Sequence, residues 1–195
     1  MSSTVAATLL RARTSPVLFG AGLAASSATV VLVSLYWATP VVWLLAPTCA
    51  VAAVAVEVDL RVRRVPNALT AVGAISLGGL VLVVRIVTGT ALASPAVAGV
   101  AICSTPLLLS HVMTRGRTPG LGDVKLAGVL GLTAGAVHPA AAYATLLASL
   151  LLGIGFGLLW RASGRGRAFP FAPALAMGLV IVLALWPLMQ GPTTW

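Results

Sequence analysis

Residues 67–87 read NALTAVGAISLGGLVLVVRIV, a run whose one charge is Arg85 near its far end. A helix needs about 20 mostly apolar residues to cross a bilayer, and this stretch meets that length without a break. Six further runs of the same kind flank it, at 17–36, 38–58, 91–113, 121–137, 139–160 and 170–190. The expected fold is all-α, a polytopic bundle of about seven transmembrane helices. Residues 17–190 would form one membrane domain between short tails at 1–16 and 191–195. The fifth run is the weakest, being short and carrying Asp123 and Lys125 in its first turn. Connections between runs are mostly short, so consecutive helices should pack as antiparallel neighbours.

Composition agrees. Of 195 residues, 59% are hydrophobic and 8% charged, against roughly 45–50% and about 25% in soluble domains. So few charges cannot cover a water-facing surface, which excludes a soluble globular enzyme. Disorder is excluded as well, because unfolded chains are poor in apolar residues. The net charge of +9 raises the question of nucleic acid, but the cations form small clusters between apolar runs rather than one basic stripe. No nucleic-acid partner is expected. Cys49 and Cys103 lie inside apolar runs with no C-x-x-C pair, so neither a zinc ribbon nor a disulfide framework is available.

The cations also orient the chain. Arg11 and Arg13 precede the first run, and Arg61, Arg63 and Arg64 follow the second. Arg115, Arg117 and Lys125 surround the start of the fifth, and Arg161, Arg165 and Arg167 follow the sixth. These are alternate loops, and only Arg85 falls on the other side. By the positive-inside rule the N-terminus is cytoplasmic and the C-terminus outside. Arg11 and Arg13 ahead of small residues at Ala24–Ala28 also fit a cleaved signal peptide. The apolar stretch runs on to Trp37, which favours a retained helix.

Only three carboxylates occur: Glu57, Asp59 and Asp123, all at predicted cytoplasmic helix ends. An ionisable group at membrane depth is costly and is by default a functional candidate. Ala55, Ala52 and Thr48 lie on one helical face with Asp59, and their small side chains permit close packing. Asp59 should therefore point into the bundle; the plainer alternative is an interfacial acid pairing with Arg63 at i+4. Glu57 can pair with Arg61 in the same way. Asp123 lies in Gly120-Leu121-Gly122-Asp123-Val124-Lys125-Leu126. Its glycines allow unusual backbone angles and close approach of a neighbour, whereas helix-dipole stabilisation alone would explain the acid but not the glycines. Gly128, Gly131 and Gly135 continue as a smooth stripe for another helix. Lys125, at i+2 from Asp123, is read as a ligand for lipid phosphate or a substrate backbone.

Taken together, the two aspartates suit aspartic peptidase chemistry. Two carboxylates close enough to share a proton split into a general base and a general acid. Nothing else competes. His111 and His138 fall on opposite sides in this topology, and no H-E-x-x-H, G-x-S-x-G or P-loop occurs.

These segments resemble the type IV prepilin peptidase family, membrane aspartic peptidases grouped with archaeal preflagellin peptidases. Asp59 through Val65-Pro66-Asn67 is similar to the family's aspartate followed by Ile/Val-Pro-Asn. Gly120 to Leu126 is similar to its Gly-x-Gly-Asp-x-Lys-Leu. Phe169-Pro170-Phe171-Ala172-Pro173-Ala174-Leu175 resembles a C-terminal Pro-Phe-Gly-Pro-like segment, with Ala172 in place of glycine. The resemblance implies a bacterial inner-membrane enzyme that removes the basic leader of type IV prepilins or pseudopilins on the cytoplasmic side. Asp59 and Asp123 would then be the catalytic pair, without metal or cofactor. Pro66 and Asn67 would shape the loop after Asp59, with Asn67 capping the third helix, and Gly120, Gly122 and Lys125 would support the second motif. The neighbouring arginines would orient the protein and bind anionic lipid. With no cysteine pairs and no visible cofactor-binding loop, the chain resembles short, cleavage-only forms serving Flp or Tad pili. Two other readings stand beside this one. A presenilin-type intramembrane protease shares Gly-x-Gly-Asp but carries Tyr-Asp where this chain has Val58-Asp59. A non-enzymatic or degenerate membrane protein would tolerate loss of either aspartate.

Overall fold

A computed structural model describes residues 41–116, 119–164 and 169–189. Six helices follow one another, and no strand occurs among these residues: α1 (Val42–Val62), α2 (Asn67–Thr88), α3 (Ala93–Met113), α4 (Leu121–Val137), α5 (Pro139–Ala162) and α6 (Ala172–Met189). All except α4 are long and apolar enough to cross a membrane, so the chain is a polytopic helical membrane protein. The run predicted at 17–36 lies outside the described residues.

Helix ends follow local chemistry. Proline suits the first turn, where a missing N–H costs nothing. Pro139 opens α5, Pro66 stands just before α2, and Pro173 is the second residue of α6. α1 runs four residues beyond the predicted end at 58. It stops where Arg63 turns left-handed (φ 54°) and donates its N–H to the Asp59 carbonyl. That extension carries Asp59 into the last turn of α1.

One face of α1 is buried at Leu44, Thr48, Ala52, Ala55 and Asp59, a spacing of three and four that matches the predicted face. α4 is the centre of the bundle and touches all five other helices. Ten of its positions from Leu126 onward are buried, with no polar face; a helix apolar all round belongs inside. The predicted glycine stripe is used against α3. A Cβ on Gly99 of α3 would fall 2.6 Å from the Gly135 Cα, so the two backbones are in contact.

Packing of consecutive helices as neighbours holds for α1–α2, α3–α4, α4–α5 and α5–α6. α2 and α3, although joined by a short loop, make the sparsest contact in the bundle. A cleft of about 610 Å³ opens there, lined among others by Thr70, Val100, Ser104 and Gly128. Large apolar side chains, including Ile75, Ile86, Leu109, Leu151 and Leu188, face outward, more apolar surface than a soluble monomer presents.

Candidate active site

Three connections meet at one end of the bundle: α1 to α2, α3 to α4, and α5 to α6. Asp59 approaches it from the last turn of α1, and its side chain points inward, only 3% exposed. Its Oδ2 accepts the backbone N–H of Ala172, the first residue of α6, at 2.9 Å, and the Phe171 amide lies near the same carboxylate. The alternative ion pair with Arg63 does not form. The left-handed turn at Arg63 swings its guanidinium away, to 5.6 Å from the Trp160 ring of α5, a cation–π contact. Glu57 does pair with Arg61, as predicted.

Asp123 enters from the first turn of α4, half-buried. Its Oδ2 accepts the Gly120 N–H at 3.2 Å, the acid half of a capping box. Asp123 lies within electrostatic reach of Asp59, so the two carboxylates farthest apart in helix order are brought together.

The glycines explain how. Gly120 adopts an ordinary extended backbone (φ −68°, ψ 151°), and neither motif glycine has positive φ. The expected unusual backbone angles are therefore not used; close approach is. A Cβ on Gly122 would stand 2.9 Å from the Val65 carbonyl oxygen and 3.1 Å from the Val65 Cβ. The bare Gly122 backbone lets the start of α4 lie directly on the connection that follows Asp59.

Two supporting residues behave differently from expectation. Asn67 is the first residue of α2, with Pro66 in the capping position and no side-chain cap. A cap must precede the first helical residue to reach back to free N–H groups, so Asn67 cannot serve. Its Oδ1 instead accepts from Lys125 Nζ at 2.9 Å. Lys125 is thereby tied to the protein, linking the start of α2 to the start of α4. Of the histidines, His111 is half-buried with Nδ1 2.7 Å from the Pro119 carbonyl oxygen. His138 accepts the Ala140 N–H at the start of α5 and stacks on Trp186. The 17 residues of α4 separate the two histidines by roughly 25 Å at the usual helix rise.

Sequence reasoning missed the donor to Asp59. The segment at 169–175 stands out in the sequence, yet nothing in it shows a hydrogen bond to a residue 113 positions earlier. Beside Asp59 lies an apolar cleft of about 440 Å³, lined by Leu60, Phe156, Trp160, Phe169, Pro170 and Met177 among others. Two carboxylates within electrostatic reach of each other, each hydrogen-bonded to a backbone amide at a helix start, oppose each other's ionisation, which suits one to act as base and the other as acid.

Fold and site together define a class: a multi-pass helical membrane protein with paired aspartates at one end of its bundle. Residues 43–158 match the sequence profile of the Type IV leader peptidase family, and the chain belongs to that family. The match includes Asp59, Pro66, Asn67 and the whole 120–126 segment, and stops before 169–175. Among curated proteins none matches, and no solved structure does. The chain is accordingly a membrane peptidase, a hydrolase.

Proposed function

We propose that the chain is an aspartic endopeptidase that removes the basic leader of type IV prepilins or pilin-like proteins. Asp59 and Asp123 form its catalytic pair. The observation that carries this reading is the meeting of these two residues at one end of the bundle, from helices with two others between them in the chain. Membership in the leader peptidase family supports the substrate class.

The two charges oppose each other, so one carboxyl keeps its proton while the other is ionised. The ionised member takes a proton from water as the oxygen attacks the scissile carbonyl. The protonated member donates to the carbonyl oxygen. Collapse of the resulting gem-diol returns that proton, and the leaving amine is protonated from the pair. No metal or cofactor takes part in these steps.

The cytoplasmic face is the proposed side of cleavage, in a bacterial inner membrane. Arg61, Arg63, Arg64, Arg115, Lys125 and Arg161 lie at the end that holds the aspartates, and Arg85 lies at the other. The positive-inside rule assigns the first end to the cytoplasm, where the arginines also meet anionic lipid.

Membranes containing the protein, incubated with a panel of prepilins and read by gel mobility, test the proposal. Asp59→Asn and Asp123→Asn should each lower cleavage at least a hundredfold at matched membrane levels. Wild-type processing by either variant would remove the dyad.

A further inference from the structure

Asp59 stands where its own helix does least for it. The last turn of α1 presents unsatisfied carbonyls and the negative end of the helix dipole, and the side chain is almost entirely buried. A buried carboxylate there needs a donor from elsewhere.

The start of α6 supplies one, and its sequence reserves that donor. Pro170 and Pro173 have no N–H. The amides of Ala174 and Leu175 are spent on the Phe171 carbonyl, at 3.0 and 3.2 Å. The amides left free are those of Phe171 and Ala172, the two that face Asp59. The segment is also held in place. The Phe171 ring packs on Gly153 of α5, where a Cβ would clash with it, and meets Phe169 edge-on at 6.4 Å.

We infer that the backbone N–H of Ala172, together with the positive end of α6, is the positioning group for Asp59, making the α6 start a working part of the peptidase. The inference rests on Asp59 acting as a catalytic residue. Because the donor belongs to the backbone, alanine serves as well as the glycine of the resembling segment. Ala172 is fully buried, so its methyl group is already accommodated.

Proline at the first helical position is compatible with the helix, so Ala172→Pro removes the donor, while adding ring atoms at a fully buried position. Proline there also locks φ at 172 and newly restricts Phe171 before it, so a second replacement is needed beside it. An amide-to-ester replacement at the same residue removes the N–H with no change of ring or side chain. Ala172→Gly retains the donor. All three would be compared with wild type and Asp59→Asn in the membrane cleavage assay, over a range of pH and substrate concentration.

The expected result is a kcat about ten- to a hundredfold lower for Ala172→Pro and for the ester, the usual cost of a hydrogen bond to a charged group. KM should stay within about twofold, since the bond is not to substrate. The acid limb of the pH–rate profile should move to higher pH, because the ionised form of the pair has lost a donor. Ala172→Gly, which keeps the donor, should be impaired far less than Ala172→Pro and should not shift the acid limb. An ester variant with the wild-type kcat and pH profile overturns the inference, and so does an Ala172→Gly variant as impaired as Ala172→Pro. Retained cleavage by Asp59→Asn is a separate result, which removes the peptidase reading itself.

Discussion

Gly120 and Gly122 look equivalent in the Gly-x-Gly-Asp segment, yet their surroundings differ. A Cβ on Gly122 would press on the Val65 backbone at 2.9 Å, while on Gly120 it would meet only the Asp123 Oδ2, at an ordinary 3.4 Å. The Val65 carbonyl belongs to a connection fixed at both ends by helices, so it cannot yield without moving Asp59 or Asp123. Overpacking of this kind costs about 1–3 kcal/mol. Gly122→Ala should therefore lower cleavage about tenfold or more, and lower the thermal unfolding midpoint in detergent. Gly120→Ala should stay within about threefold of wild type, since its backbone angles suit any residue. Equal effects of the two substitutions would show that close approach at Val65 is not what the second glycine provides.

Among the helices, α3 and α4 form the tightest contact, and it is made of backbone. Gly99 lies between Gly131 and Gly135, with a would-be Cβ 2.6 Å from the Gly135 Cα and 2.8 Å from its N. Small residues drive helix association in membranes because they let backbones approach; here no flexible side chain can give way. Gly99→Ala should cost about 1–3 kcal/mol, read as reduced unfolding resistance in detergent. Gly79 of α2 has nothing within 4 Å of its would-be Cβ, and Gly79→Ala should be neutral or stabilising by up to about 1 kcal/mol. The reverse order would refute backbone packing as the source of the contact. Half of this interface was legible in the sequence. The stripe at 128, 131 and 135 has helical spacing, but its partner Gly99 is a single glycine in an apolar run with no pattern to mark it. The same division runs through the site. Apolar runs marked the helices, and the small residues at Thr48, Ala52 and Ala55 told which way Asp59 points. The Asn67–Lys125 and Asp59–Ala172 bonds join residues 58 and 113 positions apart. Such pairs depend on how whole helices pack, which no local periodicity encodes. The end of α1 was misplaced for a related reason: a left-handed arginine, not a change in hydropathy, stops the helix.

Across the whole bundle, two aspartates on antiparallel helices can meet only if both helices are set at the right depth. One buried bond ties these two helices together in the core. Thr48 of α1 and Thr133 of α4 lie with their hydroxyl oxygens 2.6 Å apart, both fully buried. Thr48 also donates to the Leu44 carbonyl at 2.6 Å, so the proton between the hydroxyls comes from Thr133. Asp59 is eleven residues beyond Thr48 along α1, and Asp123 is ten residues before Thr133 along α4. At the helix rise these separations are about 16 Å and about 15 Å, so the threonine bond puts both carboxylates at one level. Val is close to Thr in shape and removes the hydroxyl. Thr48→Val strips Thr133 of its acceptor and should cost more than Thr133→Val, after which Thr48 still has Leu44. The double variant leaves no unmatched hydroxyl and should be more stable than the two single losses together imply. The coupling should be about 0.5–1.5 kcal/mol, the range found for hydrogen bonds between membrane helices. A double-mutant cycle by reversible unfolding in detergent measures it. Losses that add within about 0.3 kcal/mol would mean that the hydroxyls merely sit side by side, and that the level of the aspartates is set by the glycine contacts alone.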